Sequence, residues 1–394
     1  MTATSNFGGE RRPVGFVPLA WRNLLANKPR LLRSSGGIGF AVLLMLMQLG
    51  FERAFFNASL EVIRLLDGDI FLQRASKYRF ATKDPFPRRD LEAARTVPGV
   101  VNAWPLYADW HHVFWQNPTN DKNFLVRIFA FDPDQPVLPL PKAEGSPKDL
   151  SDLGTGVVDR RARRFLGMDP QPSAAELNGS KIKIIGSFAL GPDFENDGTV
   201  VIGDRTFAKL LPNSRGGPPD IELGVVRLTP GSDPTTVQQA ITAAVPSDIA
   251  VLTKAQLLEL ERKFQADVSS AGPIFVMGTL VGFIVGLLIS YQIIYTDVAE
   301  QQPQYATMKA MGYRTRYLVQ VVLEQAVLSA LAGWVPASLV AILLFRIVGE
   351  VALLPLHMTL ELALVSLLLT VGMCLISAML AVRRVISTDP AEVF

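Results

Sequence analysis

Apolar positions gather into four long runs, one near the front and three crowded toward the end, and a mostly polar stretch of about 210 residues separates the first run from the rest. The runs lie near Gly36 to Phe56, Ala271 to Tyr295, Leu323 to Ile347 and Leu360 to Val382. Each approaches the roughly 20 residues that a helix needs to cross about 30 Å of hydrocarbon. The second run, AGPIFVMGTLVGFIVGLLISYQIIY, contains no Asp, Glu, Lys, Arg, His or Cys, and its terminal Tyr295 stands where an interfacial aromatic would. The pattern predicts a multi-pass α-helical membrane protein with four transmembrane helices and a large extracytoplasmic α+β domain inserted after the first.

Helical spacing of apolar residues continues beyond the first run through Phe55, Leu60, Ile63 and Leu66, with no Gly or Pro until Gly68, so a continuous helix is expected to project outward. AQLLELERKFQADV shows the same pattern before the second run and is expected to lead into it as a second stalk. Between the stalks, a strand, helix, strand pattern occurs twice. DIFLQR, PRRDLEAARTV and VVNAWPLYADWHHVFW form the first copy; IELGVVRLT, DPTTVQQAITAAV and DIAVLT form the second. Two crossover units sharing one sheet are predicted. The section between them, rich in Pro and Gly with short β-prone runs, reads as an inserted β lobe.

The resulting boundaries are an N-terminal amphipathic segment over 1–34, a first span over 35–58 and the outer domain over 59–268. Within that domain the repeated units cover 60–122 and 220–268, around a lobe at 123–219. Further spans follow at 271–295, 321–347 and 359–382, with a polar helix at 297–316 and a tail at 383–394.

Basic residues fix an expected orientation. Arg11, Arg12, Arg22, Lys28, Arg30 and Arg33 precede the first span, Lys309, Arg314 and Arg316 lie between the second and third, and Arg383 and Arg384 follow the fourth. The loop between the third and fourth spans has no Lys or Arg. Both termini are therefore expected in the cytoplasm, and the long N-terminal lead reads as an uncleaved anchor.

A net charge of +2 over 394 residues is no nucleic-acid signature. The single Cys374 falls within the fourth span and leaves no intrachain disulfide. No P-loop, H-E-x-x-H, G-x-S-x-G or paired Cys occurs, so no catalytic residue and no metal ligand is assigned. His111 and His112, as neighbours in a strand, would point to opposite faces and not share an ion. Asp193, Glu195, Asp197, Gly198 and Asp204 nearly fill a calcium-loop pattern, yet a hairpin turn suits their β-prone flanks better.

Two features remain. Gly278, Gly282, Gly286 and Ser290 recur every fourth residue along the second span and predict close helix packing, against the glycine-lined first span (Gly36, Gly37, Gly39) or across a dimer interface. In the polar segment between the second and third spans, QYATMKAMG predicts a short amphipathic helix with Tyr305, Met308 and Met311 near one side and Gly312 ending it. Held between two spans, such a helix is a lever.

That segment, TDVAEQQPQYATMKAMGY, with LAWRNLLANKPRLLRSSGGIGF at the front and AVRRVISTDPAEVF at the end, resembles the FtsX/MacB-like permeases, the membrane subunits of mechanotransmitting (type VII) ABC transporters. FFNASLEVIRLLDGDIFL, PFPRRDLEAARTVPGV and FDPDQPV resemble their DevC-type branch in particular. The resemblance implies a coupling helix over Glu300 to Gly312, with Glu300, Gln301, Gln304, Tyr305, Met308, Lys309, Met311 and Gly312 meeting a separate cytoplasmic ABC ATPase that uses ATP and Mg. Gln302 and Gln304 stand where many relatives carry Arg and Glu.

It further implies a non-enzymatic exporter subunit, working as a homodimer, that binds no cofactor itself. A periplasmic adaptor (membrane fusion) protein, a TolC-like outer-membrane channel and a lipid or glycolipid cargo would complete the system. The alternative is a transmembrane signal transmitter that controls a periplasmic enzyme such as a cell-wall hydrolase, without moving cargo.

Overall fold

The structure, a computed structural model, describes residues 28–135, 137–145, 147–212, 218–269 and 271–386. The expectations for the amphipathic segment before residue 28 and for the tail after residue 386 lie outside these residues. The described chain divides into two compact units, residues 48–277 with 343–358, and residues 28–47 with 278–342 and 359–386.

The first of these units is built on one 11-stranded sheet. Its strands are β1 (Ile70–Arg74), β2 (Val100–Asp109), β3 (Phe114–Gln116), β4 (Asn123–Leu125), β5 (Arg127–Phe131) and β6 (Thr155–Asp159), followed by β7 (Ala174–Leu177), β8 (Ser180–Phe188), β9 (Thr199–Gly203), β10 (Leu223–Leu228) and β11 (Ile249–Thr253). The order is β11-β1-β10-β2-β5-β9-β6-β8-β7-β3-β4. Helices α1 (Lys28–Leu65), α2 (Arg88–Arg95), α3 (Asp204–Leu210), α4 (Pro234–Ala244) and α5 (Lys254–Lys263) fall in the same stretch of sequence.

The two strand, helix, strand segments interlock. β1 and β2 both pair antiparallel with β10 and so run parallel to each other, joined through α2. β10 and β11 both pair antiparallel with β1 and are joined through α4. Each crossover steps over a strand of the other, the split βαβ arrangement. Local chemistry starts these helices cleanly: Asp233 accepts from Thr235 N and Thr236 N ahead of Pro234, and Thr253 and Gln256 form a capping box at α5.

Alternation along the strands sends side chains to both sheet faces. Ile70, Leu72, Val226 and Val251 pack with Leu91 and Ala94 of α2 and Val237 and Ile241 of α4. Phe71, Val225 and Leu223 pack on the opposite face with Val62, Ile63 and Leu66 of α1 and Leu257 of α5. The apolar residues that carry α1 beyond its membrane-length run thus cover a sheet face that would otherwise meet water.

The inserted lobe grows from the far half of β2. Near its start β2 pairs with β10, whereas Tyr107, Ala108 and Asp109 pair with Ala130, Phe129 and Ile128 of β5. One long strand therefore joins the split βαβ half to a lobe in which β5 runs parallel to β9 and β6 parallel to β8.

Two expectations need correction. The second stalk does not run unbroken into the second span: α5 ends at Lys263, a π-helical turn covers Phe264–Val268, and Ser269 is extended at φ −66° and ψ 138°. Ser269 Oγ instead accepts from Ala271 N and starts a new helix. Nor does Asp193 to Asp204 form a hairpin. β8 has β6 and β7 as neighbours, and β9 lies between β5 and β6, so the two strands flanking the loop never meet.

The other unit is helical, drawing on α1, α6 (Ala271–Glu300), α7 (Gln302–Ala310), α8 (Thr315–Ala352) and α9 (Leu360–Ile386). Among the described residues, four helices are long and apolar enough to cross a membrane, over Leu32–Leu65, Ala271–Glu300, Thr315–Ala352 and Leu360–Arg383. The chain is a four-helix membrane protein with a large sheet domain between the first and second spans. α8 carries Pro336 in its interior, a residue that spanning helices tolerate better than soluble ones.

Candidate functional site

The polar link between the second and third spans folds into a closed turn. α6 ends at Glu300, Gln301 breaks direction at φ −94° and ψ 2°, and α7 begins with Pro303 in its first turn, where the missing N–H costs nothing. At the far end Gly312 takes φ +91°. Gly312 N donates to Lys309 O at 3.1 Å and Tyr313 N to Met308 O at 3.1 Å, the paired bonds of a Schellman stop.

Two of the eight residues expected at this site hold α7 in place. Gln301 and Tyr305 are buried, and Tyr305 Oη donates to Gln301 Oε1 at 3.0 Å. Gln304, Lys309, Met311 and Gly312 are exposed, as is Glu300, while Met308 is half-buried. Met311 is 65% exposed, and Tyr313, 49% exposed, stands beside it next to exposed Arg314 and Arg316. The exposed set is a small basic and apolar face with no carboxylate between Gln301 and Arg316. Sequence reasoning missed Tyr313 as part of that face; its place directly after the helix-stopping Gly312 was the available signal.

The small residues of α6 find partners in their own unit. A Cβ on Gly282 would lie 3.3 Å from Met45 Cγ of α1, and one on Gly286 would lie 3.2 Å from Ala41 Cβ of α1 and 2.6 Å from Met373 Sδ of α9. Ser290 is fully buried, with Oγ 3.7 Å from Cys374 Sγ. A Cβ on Gly37 would meet Ile293 Cδ1 at 2.8 Å, and Gly39 faces the Gly333 carbonyl of α8. Packing within the chain accounts for these five positions. Gly36 has no neighbour within 4 Å of its would-be Cβ, and Gly278 is half-buried.

The remaining candidates dissolve into structural roles. His111 and His112 lie in a bend after β2, where their backbone N–H groups donate to Asp109 Oδ1. Burial would raise the Asp109 carboxyl, but hydrogen bonds from Lys83 and those backbone groups hold it below its ordinary value. Asp193 accepts from Glu195 N and Asn196 N and is bound by Arg127 Nη1 at 2.6 Å, so its carboxylate is already occupied. Among the described residues, no group of three or more His, Cys, Asp or Glu side chains converges as a metal would require.

With this geometry in view, residues 274–390 match the family model for the FtsX-like permease C-terminal region. Those helices carry an FtsX-like permease C-terminal region. The matched region begins inside α6, contains all of α7 and α8, and reaches beyond α9.

No curated protein matches the chain. Among solved structures, the periplasmic region of MacB from Actinobacillus actinomycetemcomitans is similar at 14% identity and a TM-score of 0.37, covering 51% of this chain and 95% of that one. The extracellular domain of the noncanonic ABC-type transporter YknZ from Gram-positive bacteria is similar at 12% identity and a TM-score of 0.33, covering 47% and 99%. A domain of a putative permease from Porphyromonas gingivalis follows at 16% identity and 0.29, covering 47% and 86%.

Proposed function

We infer that this chain is an FtsX-like permease, the membrane subunit of an ABC exporter, in which α7 receives the motion of a separate ATPase and passes it to the sheet domain. The observation that carries this reading is α7 itself, a short helix closed by its own Schellman stop, anchored through Tyr305 and Gln301, and presenting Lys309, Met311 and Tyr313 outward between two candidate spans. A docked protein pushing there acts on the ends of α6 and α8 together, because only Gln301 and the short stretch from Met311 to Arg314 separate the helices.

In this reading α7 faces the cytoplasm and the sheet domain the periplasm of a bacterial inner membrane. Two copies of the chain work with two ATPase copies, which bind ATP and Mg, while this chain contributes no covalent chemistry. Movement of the sheet domain expels a lipid or glycolipid through an adaptor and a TolC-like duct. The neutral Gln302 and Gln304 leave Lys309 as the principal charge on α7, so docking relies on that ammonium and on the apolar Met311 and Tyr313.

The test is purification of the full chain from its native membrane with whatever ATPase accompanies it, followed by Lys309→Glu and Met308→Pro variants. Export predicts retained assembly with loss of transport-coupled ATP hydrolysis. Unchanged coupling in both variants refutes the lever. Capture of a cell-wall hydrolase with no adaptor and no cargo would replace export by transmembrane signalling.

A further inference from the structure

The sheet unit contains a cavity of about 350 Å³ that neither the lever nor the sheet architecture requires. Its walls come from five places in the sequence: the end of α1 (Asn57 to Arg64), Arg127, Arg161, the loop Leu190–Asp193, and Leu353, Pro355 and His357. Those last residues form the short connection between α8 and α9, both long and apolar enough to cross a membrane. One wall of the cavity is therefore the connection between two candidate spans.

The walls are built, not incidental. Asp159, fully buried, accepts from Arg161 N at 3.0 Å, Leu190 N at 3.1 Å and Gly191 N at 2.7 Å, tying both basic and apolar segments to one carboxylate. Arg127 is fixed by Thr199 Oγ1 and by Asp193, leaving its charge matched and its place rigid. The guanidinium of Arg161 lies over Gly191, whose would-be Cβ sits 3.7 Å from Arg161 Cζ, and among the described residues no carboxylate pairs with it. Arg64 donates to Asn57 Oδ1 at 3.0 Å and holds Glu61 only at 3.9 Å. Three guanidiniums thus face two carboxylates, one of them half-exposed, with His357 beside them. Val62, Leu190, Pro192, Leu353 and Pro355 supply an apolar side.

We propose that this cavity binds the phosphate head group of an anionic lipid, with Arg161 as the principal phosphate ligand, Arg64 and His357 completing the donor set, and the apolar wall taking the glycerol and first acyl carbons. Guanidinium matches a phosphate in a paired, planar fashion that no neutral donor set reproduces. The volume suits a head group and falls at the lower end of the range for small-ligand sites. Basic pockets at the ends of spanning helices recognise anionic head groups through the same combination of charge and apolar surface. The proposal concerns binding alone and stands whether or not the chain exports anything.

The experiment uses the full chain, delipidated in a neutral detergent without ATPase or nucleotide, titrated with dihexanoyl phosphatidylglycerol, dihexanoyl phosphatidylcholine and inorganic phosphate while affinity is read by calorimetry. Phosphatidylglycerol is expected to bind, and Arg161→Gln to weaken it about tenfold, corresponding to the loss of one charge-assisted contact of about 1.4 kcal/mol. Arg160→Gln, which removes a neighbouring guanidinium paired with Glu144 outside the cavity, should leave binding unchanged and serves as the folding control. Equal affinity for inorganic phosphate and phosphatidylglycerol would overturn the lipid assignment in favour of a free anion. Equal affinity for the zwitterionic lipid would overturn the charge argument. No binding, or unchanged binding in Arg161→Gln with Arg160→Gln also unaffected, would overturn the site.

Discussion

Between α1 and α6, the largest fully buried side chains are Trp115, Phe71, Phe86, Phe129, Phe131 and Phe188. In the helical unit small residues take a large share of the buried positions, with Ala41, Ala326, Ala330, Ala337, Ala341, Ala378 and Ala381, and Ser34, Ser290, Ser329, Ser366, Thr370 and Ser377, beside the bulkier Ile38, Met45 and Leu46. The sheet unit buries charge as well, in Lys77, Glu222, Arg127, Asp109, Asp159 and Glu261, whereas Asp297 is the buried ionisable carboxylate described in the helical unit. The difference follows from the solvent. Bulky apolar side chains gain by leaving water, but they gain little by leaving lipid, so spanning helices associate through close backbone approach and hydroxyl bonds. Trp334 Nε1 donating to Ser366 Oγ at 3.0 Å, and Ser377 Oγ donating to Leu287 O at 2.9 Å, are such bonds.

The largest expected effect lies in the sheet unit's buried ion pair. Lys77 Nζ donates to Glu222 Oε2 at 2.9 Å, with side-chain exposures of 0% and 4%, and lies 5.2 Å from the Trp110 ring centre. Burial pushes Lys77 down and Glu222 up from their ordinary values, and each partner's charge opposes that drift. Lys77→Met leaves Glu222 buried without its cation and should cost about 3–5 kcal/mol, read as a lowered urea midpoint in tryptophan fluorescence of the full chain. Lys77→Met with Glu222→Leu should regain most of the loss. A single variant as stable as the parent would show that the charge is dispensable and would erase this half of the comparison.

The helical unit should fail by a different route. A Cβ on Gly333 would lie 2.7 Å from Ile38 Cγ2 and 3.1 Å from the backbone N of Gly39, where α8 meets α1. Gly333→Ala is expected to cost about 1–3 kcal/mol, because backbone cannot move aside as a side-chain tip can. Gly372→Ala, with nothing within 4 Å of its Cβ, should be neutral or slightly stabilising. The measurement is the thermal midpoint of the purified chain in detergent. Equal midpoints for the two alanine variants would remove close approach as the basis of packing there.

Much of this contrast was legible in the sequence, for identifiable reasons. Spans announce themselves because membrane thickness fixes a minimum apolar length. The repeated strand, helix, strand pattern marked the two crossover segments, and Gly312 marked the end of α7, since both signals are local. The pairing of Tyr107–Asp109 with Ile128–Ala130 was not legible, because nothing near β2 states that its far half serves another lobe. Ser269 likewise lies in a helical pattern, and only its extended backbone reveals the break. The anchoring of α7 by Gln301 and Tyr305 was readable as an i, i+4 pair but not as distinct from the exposed residues around it. The cavity lined by Arg64, Arg161 and His357 was invisible, since segments remote in sequence meet to form it.

A pH series sharpens the sheet unit's side of the comparison. Glu261 accepts from Phe80 N at 2.8 Å and from Gln265 Nε2 at 3.0 Å, and burial raises its carboxyl above the ordinary glutamate value despite those bonds. Its folded pKa being the higher one, the folded state holds the proton more tightly than the unfolded chain. The associated stability is fully present below the ordinary value and is lost as pH rises through the raised one. Glu261→Gln should flatten the dependence of the thermal midpoint over that window while leaving the helical unit's response to Gly333→Ala unchanged. A parent and variant with identical pH profiles would remove Glu261 as the source.

The smallest effect belongs to the exposed turn that ends α7. Gly312 has no atom within 4 Å of a would-be Cβ, so space does not constrain it; its φ of +91° does. Gly312→Ala should therefore cost about 1 kcal/mol, through backbone strain alone, and loosen the Schellman stop without disturbing packing. Gly312→Asn, which tolerates the left-handed region better, should recover part of that loss. Because the strain falls on the turn between α7 and α8, limited proteolysis after Arg314 or Arg316 should quicken in the alanine variant before any change in overall thermal midpoint appears. If the midpoint falls first, the turn is part of the helical unit's core, and α7 is a packed element instead of a lever.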